Sequence, residues 1–258
     1  MSILRIDNLT VGYDRPVLEG VSLTAEPGQM LAIVGPNASG KSTLLAAMLG
    51  LLKPTVGAIY WHDRPLADWH QRELAKRVAL LPQRPTAAAG HRVSDVLLSG
   101  RSPHWNLIGS EEAGAASIVE SVAERLALAD LLGRRLTTLS GGQRQRVFIG
   151  RSLVQIAGAA SPVLILDEPD ASLDIAQSAR LMRLLKTLTD TTVILVTHHL
   201  DHAAQAEQIA LIDHGRVRCG STEDLIQSAP LSAAFDTPLV VHRNRDGVTV
   251  TAMSVKDA

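Results

Sequence analysis

The chain has 258 residues, 46% of them hydrophobic but only 3% aromatic, with 25 Lys and Arg against 26 Asp and Glu for a net charge of −1. That composition supplies a sizeable aliphatic core and fits an α/β fold in one compact unit. It gives no bulk attraction to nucleic acid or anionic lipid, no apolar run approaching the ~18 residues that cross a bilayer, and, with Cys219 the single cysteine, no internal disulfide. Residues 2–7 show no charged-then-apolar secretory pattern, so any membrane association is expected to come through a protein partner.

Strand-like segments open the chain at residues 4–6, 9–13 and 21–24, and Pro27-Gly28 marks a turn. Residues 30–34 form a continuous apolar strand, followed by a helix from about Gly40 that buries Leu44, Leu45, Met48 and Leu49. Further strands are expected at 57–60 and 78–81, after which Gln83 closes the first part of the core. Ser110-Glu111-Glu112 is a good helix start, a hydroxyl cap with acidic residues in the first turn, and Ile118, Val122 and Leu126 follow on one face. A second helix carries Val147, Phe148, Leu153 and Val154. Buried strands at 163–167, 193–197 and 209–213 then alternate with helices, the pattern of a largely parallel sheet. Residues 239–242 and 248–251 flank Asn244-Arg245-Asp246-Gly247, which predicts a β-hairpin tail.

Three short segments carry the chemistry. Gly35-Pro36-Asn37-Ala38-Ser39-Gly40-Lys41-Ser42, extended by Thr43, is a complete G-x-x-x-x-G-K-[ST] phosphate loop between a strand and a helix. Gly35 and Gly40 let backbone N–H groups point inward at an anion, and the following helix presents its positive end. Lys41 can then reach the β- and γ-phosphates, and Ser42 can ligate Mg²⁺. The second segment is Leu139-Ser140-Gly141-Gly142-Gln143, where a hydroxyl and an unshielded backbone N–H at a helix start suit a γ-phosphate. The third is an apolar strand running into Asp167-Glu168-Pro169.

In this order the segments resemble the ATP-binding cassette family over residues 1 to about 230. The resemblance implies an α/β fold with a P-loop NTPase core, a RecA-like mixed sheet with helices, plus an antiparallel β subdomain and an inserted helical subdomain. The expected layout is one cassette over 1–258. Its nucleotide-binding core takes 1–83 and 159–230, its signature-bearing helical subdomain 84–158, and a hairpin tail 231–258. Family members clamp ATP between the phosphate loop of one subunit and the signature of another. Ser140, Gly141, Gly142 and Gln143 would therefore act in trans, in a homodimer with ATP at the interface.

By the same resemblance Asp167 holds Mg²⁺, directly or through water, and Glu168 polarises the attacking water as general base. Gln83 touches Mg²⁺ and links core to helical region, and His198 contacts the γ-phosphate. Ala171-Ser172-Leu173-Asp174 crosses the dimer interface. The chain departs from the family at Ala38, usually Gly, and at Asp170, commonly Thr or Ser; His199 matches no family position. Tyr13 either stacks on adenine, worth ~1–3 kcal/mol, or is a half-buried strand tyrosine.

Gly100-Arg101-Ser102-Pro103-His104 resembles a G-R-x-P-H segment of ATPase subunits serving importers of iron–siderophore, haem and cobalamin. The implied protein is an ATP hydrolase on the cytoplasmic side of the inner membrane. Its partners would be integral membrane permease subunits and, indirectly, an extracytoplasmic substrate-binding protein, with no nucleic acid. Residues 84–105, with Val93, Val96, Leu97 and Trp105 as apolar candidates, are either the groove for a short permease helix or ordinary surface. Three other readings compete. One is the ATPase of another importer, such as a metal-ion importer. A soluble cassette ATPase acting on nucleic acid or ribosomes is disfavoured by single motif copies and no basic surplus. A non-enzymatic nucleotide binder is disfavoured by an intact Lys41, Asp167, Glu168 and His198.

Overall fold

The computed structural model describes residues 2–87, 90–105, 114–171, 173–244 and 247–253. The chain forms two compact units, one from residues 1–69 and 194–258, the other from 70–193. In chain order the first unit opens with β1 (Leu4–Gly12), β2 (Pro16–Ala25), β3 (Met30–Val34), α1 (Lys41–Met48), β4 (Val56–Trp61) and β5 (Arg64–Pro65). The second unit follows with α2 (Gln71–Ala75), β6 (Val78–Leu81), α3 (Val93–Ser99), α4 (Ala115–Arg125), α5 (Gly141–Ile156), β7 (Val163–Asp167) and α6 (Ile175–Lys186). The chain re-enters the first unit within β8 (Thr192–Thr197). It continues through α7 (Leu200–Ala203), β9 (Gln208–Asp213), β10 (Arg216–Ser221), α8 (Thr222–Leu225), α9 (Ser228–Ala234), β11 (Leu239–Asn244) and β12 (Gly247–Ala252).

The first unit holds an antiparallel sheet ordered β2-β1-β4-β5 and the strands β10-β9-β3-β8. β3 runs parallel to β9, while β10 returns antiparallel to β9, a strand the sequence pattern did not reveal because only Val217 and Gly220 are even half-buried there. The N-terminal run expected as two short strands is one bulged strand. Leu4 and Ile6 are buried, then Leu9 and Val11, a one-residue change of phase. Asn8 absorbs it in a left-handed conformation at φ 44°, where the pairing with β2 shifts. β3 is buried throughout, and the α1 residues Leu44, Leu45 and Met48 lie within the core. Leu49 instead ends that helix half-buried, with its N–H bonded back to Leu45. The tail pairs as the expected hairpin, antiparallel from Leu239↔Ala252 to Asn244↔Gly247, while turn residues 245 and 246 lie outside the described residues.

In the second unit β6 and β7 run parallel. α5 is its central helix, burying Val147, Phe148, Ile149, Leu153 and Val154. α4 turns a different stripe inward than its apolar spacing suggested: Ala115, Val119, Ala123 and the following Leu126 are buried, whereas Ile118 and Val122 are half-exposed. Small alanines win that face because α4 packs beside α5, where bulk is limited. The start expected at Ser110-Glu111-Glu112 lies outside the described residues. Arg125, at the end of α4, ties to Asp190 at 3.3 Å. Partial burial alone would raise the Asp190 carboxyl, but the Arg125 hydrogen bond and charge, with Thr191, bring it below the usual carboxylate value. Among the described residues no helix is long and apolar enough to cross a membrane.

Candidate functional site

In the first unit the strand β3 delivers the chain into the phosphate loop and α1 leads out of it. Gly40 sits at the N-cap of α1 with φ 109°, which L side chains rarely adopt, and a Cβ there would lie 2.8 Å from Leu18. Gly35 is equally constrained, since a Cβ would lie 2.9 Å from the Ile212 carbonyl. The Lys41 ammonium donates to the carbonyls of Gly35 at 2.9 Å and Pro36 at 2.8 Å, so it braces the loop from inside. Lys41 and Thr43 are buried; Asn37, Ala38 and Ser42 are exposed. The first turn of α1 has neither a side-chain cap nor a carboxylate, which leaves its N–H groups and positive dipole end available to an anion. Ala38 occupies the left-handed region at φ 61°, the physical reason glycine is common at this position.

Tyr13 and His198 belong to this same unit. Tyr13 lies just beyond β1 and is 72% exposed, which overturns the half-buried strand reading and leaves its ring face open. His198 follows β8 and is exposed, its ring centroid 4.2 Å from that of His199, which in turn lies tilted 5.3 Å from that of His202 on α7. His199 is the N-cap residue of α7, its N–H bonded to the Thr197 hydroxyl, so its place is structural.

In the second unit β7 ends at the half-buried Asp167, and Glu168 follows in a left-handed conformation at φ 44°. The Gln83 amide donates to Glu168 Oε2 at 2.6 Å, so two residues far apart in sequence meet at one carboxylate. Gln145 of α5 donates to the Pro169 carbonyl at 2.7 Å, tying the signature helix to the same turn. Asp170, at the position where the family prefers a hydroxyl, is buried, and its carbonyl accepts from Leu173. Ser172 lies outside the described residues.

The signature segment begins α5 with a reciprocal capping box. The Ser140 hydroxyl accepts from the Gln143 N–H at 3.3 Å, and Gln143 Oε1 accepts from the Ser140 N–H at 3.0 Å. Gly141 is exposed, whereas Gly142 is half-covered by Gln177 of α6: a Cβ there would stand 3.0 Å from the Gln177 side chain. Motif reading gave no sign of that contact. On one side the segment borders a pocket of ≈ 400 Å³ whose lining includes Arg125, Arg146, Arg180 and Arg183 and no carboxylate. On the other, Gly141 borders a pocket of ≈ 490 Å³ with Gln83, Arg84, Arg144 and Phe148.

That second pocket corrects the expected groove. Val93, Val96 and Leu97 are buried in α3 against α5, so they cannot line a docking surface; of the 84–105 segment, Arg84 and Pro85 border the pocket, next to Gln83. Trp105 is half-buried, and among the described residues its indole N–H has no acceptor.

Comparison with known proteins fixes the class. The family model of the ABC transporter matches residues 18–171, and this chain belongs to that family, as an ATP-binding and ATP-hydrolysing cassette with a P-loop NTPase fold. It is similar to the hemin import ATP-binding protein HmuV of Pseudomonas aeruginosa, 36% identical over 251 residues, 94% of this chain and 96% of that protein. The cobalamin import ATP-binding protein BtuD of Halobacterium salinarum is 34% identical over 92% of this chain and 60% of that protein. Among solved structures, a chain of an ABC transporter described as metal-chelate type, in an inward-facing conformation, matches with a TM-score of 0.85. It is 25% identical and covers 100% of both chains. An ATP-binding cassette in its ADP conformation matches at 0.76, with 26% identity over 87% of this chain and 92% of that one.

Proposed function

We propose that this chain is the ATPase subunit of an importer for a large metal chelate of the haem or cobalamin kind, with iron–siderophore complexes in the same class. It works as a homodimer on the cytoplasmic face of a membrane permease that receives its ligand from an extracytoplasmic binding protein. The observation that carries the reading is that one chain holds both a phosphate loop braced by Lys41 and a self-capped Ser140 segment. The Ser140 hydroxyl already accepts from Gln143, so it has a proton to donate to a phosphate oxygen but no need of one. The arginine-lined pocket beside it makes the surroundings favourable to a triphosphate. Relatives named for hemin and cobalamin import support the ligand class, as does the metal-chelate transporter among the structures.

In this reading Gly35 to Thr43 cradle the phosphates, Lys41 turns from loop carbonyls to the β- and γ-phosphates, and Tyr13 offers its open ring face to adenine. Gln83 fixes one oxygen of Glu168 and so orients the carboxylate that takes a proton from water. His198 contributes a polar contact to the γ-phosphate. Ser42, Gln83 and Asp167 offer hydroxyl, amide and carboxylate oxygens, the donor set Mg²⁺ prefers. Among the described residues no cluster of three or more His, Cys, Asp or Glu could hold a metal, so the ion would take its other ligands from nucleotide and water. When bound it neutralises charge on the β- and γ-phosphate oxygens.

The test is Glu168→Gln. It should keep ATP binding, lose turnover by roughly 10²-fold or more, and accumulate an ATP-bound dimer on size exclusion. Turnover near the parent rate would remove Glu168 from the role of base.

A further inference from the structure

Side chains of the G-R-S-P-H segment, Gly100 to His104, hold the C-terminal end of α5. α5 runs for 16 residues, about 24 Å, from the signature at its start to Ile156. A helix of that kind ends in carbonyls without intrahelical partners and a negative dipole end, and α5 has no basic residue of its own in its last turn. The missing cation comes from outside. Arg101 is 2% exposed, and its Nη1 donates to the carbonyls of Val154 at 2.8 Å and Ala157 at 3.1 Å. His104 Nε2 lies 2.8 Å from the Gln155 carbonyl. The Ile156 carbonyl accepts from Ala159, so all four of these carbonyls are satisfied.

The same segment also fixes distance. Gly100 presses so close to α5 that a Cβ would stand 2.3 Å from the Arg151 carbonyl, a clash with backbone that no rotamer relieves. One residue earlier Gly150 returns the fit, admitting Leu97 and Leu126 where a Cβ would stand within 2.7 and 2.9 Å of them. Pro103 is held in turn by Arg72, whose Nε donates to its carbonyl at 2.8 Å. From α5 itself, Gln155 donates to the carbonyls of Ala75 at the end of α2 and of Val78 at the start of β6, the strand that leads to Gln83.

We propose that Gly100, Arg101 and His104 are positioning residues, a clamp on the C-terminal end of α5 that sets how Ser140–Gln143 is presented at its other end. None touches nucleotide in this reading. Because a helix is stiff along its axis, a shift or tilt at residues 154–157 moves the signature segment as one body. Gln155, whose carbonyl His104 holds, joins that helix to β6 through its own side chain, so the alignment of Gln83 on Glu168 and the aim of Ser140 are set together. The proposal rests on the trans role of Ser140, and the experiment separates the two.

The variants are Arg101→Met, Arg101→Lys, His104→Ala and His104→Gln in the full chain. Readouts are ATP affinity by calorimetry, kcat, KM and thermal unfolding. Arg101→Met should lower kcat about tenfold or more while ATP affinity, set by the phosphate loop, stays within about twofold. Arg101→Lys, which restores a cation but not the two-carbonyl reach, should recover part of the loss. His104→Ala should lower kcat about threefold and His104→Gln, which keeps a donor, should recover it. Placed in the Glu168→Gln chain, Arg101→Met should prevent the ATP-bound dimer that Glu168→Gln alone accumulates. If Glu168→Gln alone forms no dimer, the trans reading fails while the kcat comparison still judges the clamp. Turnover of Arg101→Met within twofold of the parent, or equal kcat and affinity losses in all variants, would overturn the clamp. If Arg101→Met does not fold, the His104 pair decides: equal turnover of Ala and Gln overturns it.

Discussion

The phosphate loop ends in a helix, α1, whose first turn carries neither a side-chain cap nor a carboxylate, whereas the signature segment starts α5 behind the Ser140–Gln143 capping box. Both are glycine-rich turns into helices, and both suit phosphate, but they are held differently. The loop is braced locally: Lys41 reaches back five and six residues to the carbonyls of Pro36 and Gly35. The signature is braced remotely, by Gln177 over Gly142, by Gln145 on Pro169, and by Arg101 and His104 at the far end of its helix. A locally closed motif is complete when its residues are present. A remotely held one depends on how the whole unit packs.

The largest effect that could break this contrast comes from pairing the two segments across chains. Lys41→Ala should abolish hydrolysis, a loss of at least ~10²-fold, by removing the phosphate contact. Ser140→Arg should abolish it as well while leaving ATP affinity nearly intact. Mixing the two inactive chains should restore part of the activity, because one composite site then has both an intact loop and an intact signature. No recovery on mixing would mean that the two segments do not meet in trans.

A smaller effect sharpens the local half of the comparison. The left-handed backbone costs Ala38 about 1–2 kcal/mol, and the extra unfolded-chain freedom of glycine offsets part of the relief. Ala38→Gly should therefore raise stability by on the order of 0.5 kcal/mol in urea unfolding. A loss of stability would show that the loop relies on Ala38 for packing beyond its own turn.

The smallest concerns the exposed Arg125–Asp190 pair beside the arginine-lined pocket. The Asp190 carboxyl is held below its usual value, so its contribution is present at neutral pH and is lost as pH falls through that lowered value. Arg125→Ala should remove a pH-dependent term of at most about 0.5 kcal/mol, seen as a difference in stability at pH 7 that shrinks in acid. A difference that grew on acidification would contradict the sign.

The same local-against-remote distinction explains what the sequence made legible. The phosphate loop, the Asp167-Glu168 strand end, the α5 core residues and the tail hairpin are local patterns, and the structure has them where periodicity and turn chemistry place them. What escaped was set at a distance. Val93, Val96 and Leu97 look like groove residues until α3 is seen packed on α5. Ile118 and Val122 lose the inner face of α4 to alanines for the same reason. β10 has almost no buried side to betray it, and the Asn8 bulge splits one strand into two apparent ones. The clamp left one trace, an arginine between Gly100 and Pro103 with no carboxylate near it in sequence, but only the end of α5 gives that charge a purpose.

Trp61 is buried with its N–H on the Met48 carbonyl, and Trp69 donates to the Trp61 carbonyl, both within the first unit. Trp105, the last of the chain's three tryptophans, stands one residue beyond His104. With the other two replaced by phenylalanine, the protein would carry a lone native fluorophore beside the anchored end of α5. Its emission would report any loosening there without an added dye.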